Sequence, residues 1–269
     1  MKRLALKLRA RLKDSLALTL VQDKSAPLVK SLPIENWPSW LGHIHEIRVP
    51  SNQSHHQQPS PTGAANINNI LTLLKQSLSV DGDVAECGVY RGGSLLTMGL
   101  YLKQNNIGKK LFGFDSFEGF PEAVQVDVTL GGASDEQKRV GGFGDTNYAR
   151  LCERIADFDL ADTIQLRKGF FDETLAQAHS VRFCFVHLDV DIYSSYKTCM
   201  EFFYPRLAEG GVILFDEYND PPWPGCNKAI DEFLADKPER PIAIQANNFI
   251  KYYVRKERDK MARPTPSRS

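Results

Sequence analysis

From residue 64 to residue 255 the apolar positions of this chain follow two alternating rhythms. Ile67, Ile70, Leu71, Leu74 and Leu78 recur at the three- and four-residue intervals of a helix with one buried face. A short apolar run over 83–87 then predicts a strand, 94–103 a helix, and 110–114 a second strand. Asp145 and Thr146 read as caps of a helix ending near residue 155. Residues 163–168 alternate apolar and polar side chains as a half-buried strand does, and Asp172 is placed to cap the helix that follows. The runs 183–188, F-C-F-V-H-L, and 211–215, G-V-I-L-F, are almost continuously apolar, as central parallel strands covered on both faces must be, with a helix over 193–204 between them. A helix over 227–234 and a hairpin of 241–245 and 249–255, turning at Asn247 and Asn248, close the pattern. Repeated strand-helix-strand order predicts an α/β fold, a mostly parallel sheet with right-handed crossovers.

Outside this region the rhythm is lost, which divides the chain into an N-terminal region 1–63, a domain over 64–256 and a tail 257–269. Residues 1–20 interleave Lys2, Arg3, Lys7, Arg9, Arg11 and Lys13 with leucines, a basic helix suited either to solvent and a protein partner or to peripheral contact with an anionic membrane. Residues 31–63 are rich in Pro, Ser, Gln, Asn and His, and read as a long loop or lid in which Trp37 and Trp40 either close over a substrate or pin the loop. His55 and His56 are adjacent, poor spacing for one metal ion, and read as solvated loop residues. Residues 131–144 form a glycine-rich excursion, and the charged tail after Lys256 is expected to be disordered.

Thirty-three basic and thirty-three acidic side chains cancel, so no global field favours nucleic acid. The five cysteines are scattered, without a C-x-x-C pair, and charges from Lys7 to Lys13 break any signal-peptide core, so a cytoplasmic protein with reduced thiols is expected.

Candidate chemistry gathers where the predicted strands end. The stretch 84–94, V-A-E-C-G-V-Y-R-G-G-S, carries an apolar run into glycines at Gly88, Gly92 and Gly93, a strand-to-helix turn where a ligand can approach the backbone. Asp115 lies 22 residues past Gly93, where a dinucleotide-type fold places an acid against ribose hydroxyls, although it also suits a turn or a helix cap. Phe170 and Phe171, just after Gly169, either fill core or flank a purine ring. Glu86, Asp115, Asp189, Asp191, Asp216 and Glu217 all fall at strand carboxyl ends, and concentrating that many like charges is costly unless a cation offsets them. Oxygen ligands suit Mg²⁺, with Mn²⁺ or Ca²⁺ as competitors, and such a cation can hold a substrate hydroxyl and lower its pKa; Asp189, Asp216 and Glu217 are the preferred ligands. Asp191 completes the site, acts as general base, or caps the helix before Tyr193. Asp220 suits a cap for the turn at Pro221, His187 a base or, inside its apolar strand, a hydrogen-bonded core histidine, and Trp223 a loop beside the acids that lines a substrate pocket.

The blocks A-E-C-G-V-Y-R-G-G-S, F-D-S-F-E-G-F-P, G-F-F-D-E-T-L, H-L-D-V-D-I-Y-S-S and G-G-V-I-L-F-D-E-Y, in this order over roughly 64–234, resemble the macrocin O-methyltransferase family of bacterial sugar methyltransferases. The resemblance implies the Rossmann-like class I S-adenosylmethionine-dependent fold, with a seven-stranded, mostly parallel sheet whose terminal strand is antiparallel. It implies Mg²⁺-assisted O-methylation of a hydroxyl on a sugar or glycosylated natural product, and a homo-oligomer. It places the methionine part of the cofactor at Glu86, Gly88, Tyr90, Arg91, Gly92, Gly93 and Ser94, the ribose at Asp115, and the adenine near Gly169 and Phe170. Ser116, Phe117 and Thr146 belong to the same cofactor set. It assigns Mg²⁺ to Asp189, Asp216 and Glu217, with Asp189 and Asp191 as the catalytic pair. The chain has Asp216-Glu217 where the family commonly shows two aspartates. Two other functions compete: a nicotinamide-dependent oxidoreductase of the same fold class, disfavoured by a turn that reads E-x-G-x-x-x-G-G, and a non-catalytic protein that binds a membrane surface or partner through its basic leader.

Overall fold

The computed structural model describes residues 28–30, 64–121, 126–127, 141–246 and 249–257. The basic leader, Trp37, Trp40, the His55-His56 pair, most of the glycine-rich excursion, the Asn247-Asn248 turn and the tail lie outside the described residues. In chain order the elements are β1 (Leu28–Lys30), α1 (Ala64–Ser77), β2 (Asp83–Cys87), α2 (Gly93–Gln104), β3 (Leu111–Asp115), α3 (Tyr148–Asp157), β4 (Ile164–Lys168) and α4 (Phe171–Thr174). A 3₁₀ turn (Leu175–Ala178) leads to β5 (Phe183–Leu188), α5 (Tyr193–Arg206), β6 (Leu207–Phe215), α6 (Pro224–Leu234), β7 (Ile242–Ala246) and β8 (Phe249–Arg255).

The sheet runs β1-β7-β8-β6-β5-β2-β3-β4. Strands β2 to β6 pair in parallel, and β8 inserts antiparallel between β6 and β7. All seven expected strands form, with the three-residue β1 added parallel to the outer edge of β7. Each face carries its own apolar layer. Phe114, Phe183 and Phe215 of the sheet pack with Tyr196 and Phe203 of α5 on one face, while Phe185 packs with Ile67 and Leu71 of α1 and Leu95 and Met98 of α2 on the other. This double coverage explains why β5 is buried at all six positions. All five cysteines are free thiols, four of them buried. Among the described residues no helix is long and apolar enough to cross a membrane.

Three local expectations are corrected. Helix α3 is capped by Asn147, whose side chain accepts from the Arg150 N–H at 3.0 Å, and not by Asp145 or Thr146. Those two reach back to the glycine turn: Thr146 Oγ1 donates to the Tyr90 carbonyl at 2.7 Å, and Asp145 accepts from the Tyr90 hydroxyl at 2.9 Å and pairs with Arg91. The cap position of α4 is Phe170, so Asp172 lies inside a single helical turn. Helix α5 runs straight into β6, which starts four residues before the predicted 211.

Strands β2, β5 and β6 finish level. The register pairs Cys87 with Leu188 and Leu188 with Phe215, and the ladder continues one step further through Asp189 N–H to the Cys87 carbonyl (3.0 Å) and Asp216 N–H to the Leu188 carbonyl (2.9 Å). Gly88 turns out of β2 at φ 81°, and a Cβ there would lie 1.6 Å from the Asp189 carbonyl oxygen. Only glycine lets the two chains pass this closely. Gly88→Ala should therefore destabilise the protein by about 3 kcal/mol or more in urea unfolding, while Gly108→Ala, where nothing lies within 4 Å, serves as the near-neutral control.

Candidate functional site

The glycine turn is held by one carboxylate. Asp115, at the end of β3, accepts the N–H groups of Val89 and Tyr90 on Oδ2, both at 2.8 Å, and that of Phe117 on Oδ1 at 2.6 Å. Burial pushes its carboxyl up, and the three N–H donors pull it back. Tyr90, Phe117 and Asp191, none of them glycine, all sit at left-handed φ values of 50–58° around the same rim. Such strain persists where surrounding contacts over-determine the backbone, and it clusters at functional sites.

A cavity of about 520 Å³ opens over these strand ends. It is lined by Gly88, Tyr90, Asp115, Ser116 and Phe170 and by Asp189, Asp191, Asp216, Glu217 and Lys251. Phe120, Phe143 and Trp223 form an aromatic wall, with ring centroids 5.7–6.2 Å apart. Phe143 remains 36% exposed.

The acids fall into two overlapping groups that share Asp189. Ligand atoms of His187, Asp189 and Asp216 lie within 4.8 Å of one another, as do those of Asp189, Asp191 and Glu217. Asp189 is thus close enough to both neighbours to share an ion with either; the predicted trio Asp189, Asp216 and Glu217 is not one of the compact groups among the described residues. Glu217 Oε2 lies 2.5 Å from the Tyr196 hydroxyl and accepts from the Asp191 N–H at 3.2 Å, so its longer side chain is drawn towards α5. Burial, then the charge on Asp216, pushes the Asp189 carboxyl up to about 7. Burial followed by the surrounding carboxylates raises those of Asp191 and Glu217 as well. Asp216 is held well below the usual carboxylate range: burial opposes ionisation, but Lys251 and His187 outweigh it. His187, despite full burial, is raised to about 10 by Asp216 and by Glu86, to which its Nδ1–H donates at 2.8 Å. Its Nε2 is 3.6 Å from Asp216 Oδ1.

The other predicted cofactor residues are not among those that line the cavity. Glu86 is wholly buried on His187, Ser94 and Gly93 are buried in the first turn of α2, and Gly92 occupies its cap position. Arg91 pairs with Asp145, Phe117 packs edge-on against Tyr148, Thr146 latches Tyr90, and Gly169 N–H donates to the Asp115 carbonyl at 2.9 Å. Asp191 does not cap α5, because the Tyr193 N–H donates to Asp127 at 3.2 Å. Sequence reasoning missed Lys251, Asn66, Tyr196, Phe120 and Phe143. Of these, Lys251 left a signal, the single charge inside the apolar run F-I-K-Y-Y-V.

A family model described as Macrocin-O-methyltransferase (TylF) matches residues 54–252. Among curated proteins, the chain is 31% identical over 163 residues to 8-demethyl-8-(2,3-dimethoxy-alpha-L-rhamnosyl)-tetracenomycin-C 4'-O-methyltransferase of Streptomyces olivaceus, covering 58% of this chain and 61% of that protein. It is 27% identical over 180 residues to mycinamicin III 3''-O-methyltransferase of Micromonospora griseorubida, covering 64% and 68%. The chain thus spans 61–68% of the length of these two relatives. Among solved structures, the O-methyltransferase NovP superposes with a TM-score of 0.62 at 24% identity, over 73% of this chain and 81% of that one. The calicheamicin methyltransferase CalS11 does so with 0.59 at 26% identity, over 72% and 80%.

The acid cluster makes stability depend on pH. Asp189 keeps a proton in the folded state up to about 7 that the unfolded chain releases near its ordinary 3.8, so its contribution is complete below that value and is lost as pH rises towards 7. His187 acts in the same direction over 6.5 to about 10. In EDTA the melting temperature should fall by about 4 °C or more between pH 5 and pH 8, measured by scanning calorimetry; a flat profile would contradict the cluster's electrostatics.

Proposed function

Because the chain belongs to the macrocin O-methyltransferase (TylF) family, we propose that it transfers a methyl group from S-adenosylmethionine to a hydroxyl of a sugar or glycosylated natural product, assisted by Mg²⁺. The observation that carries this is the single cavity joining the Asp115-braced glycine turn to the carboxylates at the ends of β5 and β6. The names of the curated relatives, O-methyltransferases of a rhamnosyl tetracenomycin and of mycinamicin III, support the acceptor class.

The residues fit both groups. A cavity of this volume suits a nucleoside cofactor with part of an acceptor. Gly88 brings backbone to the cavity, Asp115 keeps lone pairs for ribose hydroxyls beyond its three N–H contacts, and Phe170 offers a ring face. Asp189, shared by the two compact groups, would hold the cation with either Asp216 or Glu217, and the raised Asp189 and Glu217 carboxyls are the mark of acids short of positive charge. When bound, the cation supplies Lewis acidity to the acceptor hydroxyl, and the cofactor supplies an electrophilic methyl.

Asp191 takes the acceptor proton. Its left-handed backbone, φ 58°, turns it into the cavity beside Asp189, and burial among carboxylates makes it a stronger base than an exposed aspartate. With the cofactor bound, transfer of its methyl group to the acceptor oxygen would release the hydroxyl proton, which Asp191 would hold. Phe120 and Trp223, buried beside the acids, keep water from the methyl group.

Incubation with labelled S-adenosylmethionine and a panel of rhamnosides and other glycosides should label a glycoside, with EDTA abolishing and Mg²⁺ restoring turnover. S-adenosylhomocysteine, and not NAD, should raise the melting temperature. Asp191→Asn should lower kcat by about 10²–10⁴-fold while S-adenosylhomocysteine affinity stays within about twofold of wild type. Stabilisation by NAD alone would overturn the assignment.

A further inference from the structure

The terminal strand brings a cation to the acids. Because β8 runs antiparallel to β6, it begins at the rim where the parallel strands end, and the Phe215–Tyr252 pair puts Lys251 opposite Asp216. Lys251 Nζ donates to Asp216 Oδ2 at 2.8 Å and to the Asp216 main-chain carbonyl at 2.6 Å. The side chain is only 13% exposed. Asn66, from α1, donates to the other carboxylate oxygen, Oδ1, at 2.8 Å. Both oxygens of Asp216 are therefore already engaged, by Lys251 on one and by Asn66 and the nearby His187 on the other. Among the described residues that line the cavity, Lys251 is the only basic one, facing Asp189, Asp191, Asp216, Glu217 and Asp220.

Resting on the cation reading above, we propose that Lys251 is a built-in counter-ion of the carboxylate site. It supplies part of the positive charge that a divalent cation would bring, keeps the acids assembled when no cation is bound, and thereby lowers the site's affinity for one. The physical ground is simple. An ammonium clamped on Asp216 repels any second cation that uses the same carboxylate, in surroundings where burial limits screening. A divalent ion binding there must push Lys251 aside or tolerate it as a neighbour, and either costs affinity.

Titration of metal-free, full-length protein with Mn²⁺ and with Mg²⁺ in a calorimeter tests this, comparing wild type with Lys251→Met and with Lys251→Arg, which keeps the charge. Lys251→Met should bind Mn²⁺ about tenfold more tightly than wild type, with a lower melting temperature in EDTA and a larger rise on adding Mn²⁺; Lys251→Arg should behave as wild type. Tighter binding by Lys251→Met, or binding by that variant alone, supports the proposal. Equal or weaker binding by Lys251→Met, with wild type binding normally, overturns it and leaves the cation reading intact. Binding by neither protein overturns both. Should Lys251→Met be unfolded in EDTA, folding restored by Mn²⁺ supports the proposal, and failure of both it and Lys251→Gln to fold at saturating Mn²⁺ overturns it.

Discussion

The level ending of β2, β5 and β6 is the constraint on which the rest of the molecule depends. Two backbone hydrogen bonds beyond the strands, from Asp189 to Cys87 and from Asp216 to Leu188, carry the ladder one residue into the loops. Parallel strands release their chains at one rim, so every side chain just past a strand lands at the same edge of the sheet. Gly88 sets how tightly the first of these loops can pass over the second, since its missing Cβ is the space the Asp189 carbonyl occupies. A one-residue slip of register would turn the acids from the cavity and the apolar side chains towards it.

Bringing carboxylates together creates an electrostatic problem, and the fold answers it in layers. Buried Glu86 and His187, from β2 and β5, and Asp216, just past the end of β6, alternate in sign when the imidazole is protonated. Lys251 closes this row from the opposite strand direction. Asp216 is thereby stabilised as an anion, whereas Asp189, Asp191 and Glu217 have no comparable cation within the described residues and their carboxyls rise. The acids thus divide by environment into one that is already balanced and three that are short of positive charge, which is what a site built to accept a cation and a proton needs.

Interactions that resist sequence reading share one physical character: they are set by which side chain reaches a given atom first. Asp145 and Thr146 stand where a helix cap is expected, but Arg91 and the Tyr90 hydroxyl and carbonyl are within reach, and Asn147 takes the cap. Asp191 has the spacing of a cap for α5, but the carboxylate of Asp127, 66 residues away from Tyr193 in sequence, accepts the Tyr193 N–H instead. Glu86 stands one residue before the end of its strand, beside the glycine turn, and still turns inward, because His187 sits directly across the β2–β5 ladder.

Hydrophobic periodicity by itself determined the strand and helix order, the parallel core and the rim on which the acids stand, because burial of apolar faces is a local demand written at intervals of two and of three to four residues. The blocks from 84 to 218 likewise made the family legible in the sequence. Only the tertiary structure decided which acids meet, that Glu217 leans on Tyr196, and that a lysine from the last strand sits on Asp216. Those outcomes turn on distances between residues far apart in the chain, and carboxylate charge is governed by the nearest few ångströms of surroundings, a quantity that no local pattern of residues encodes.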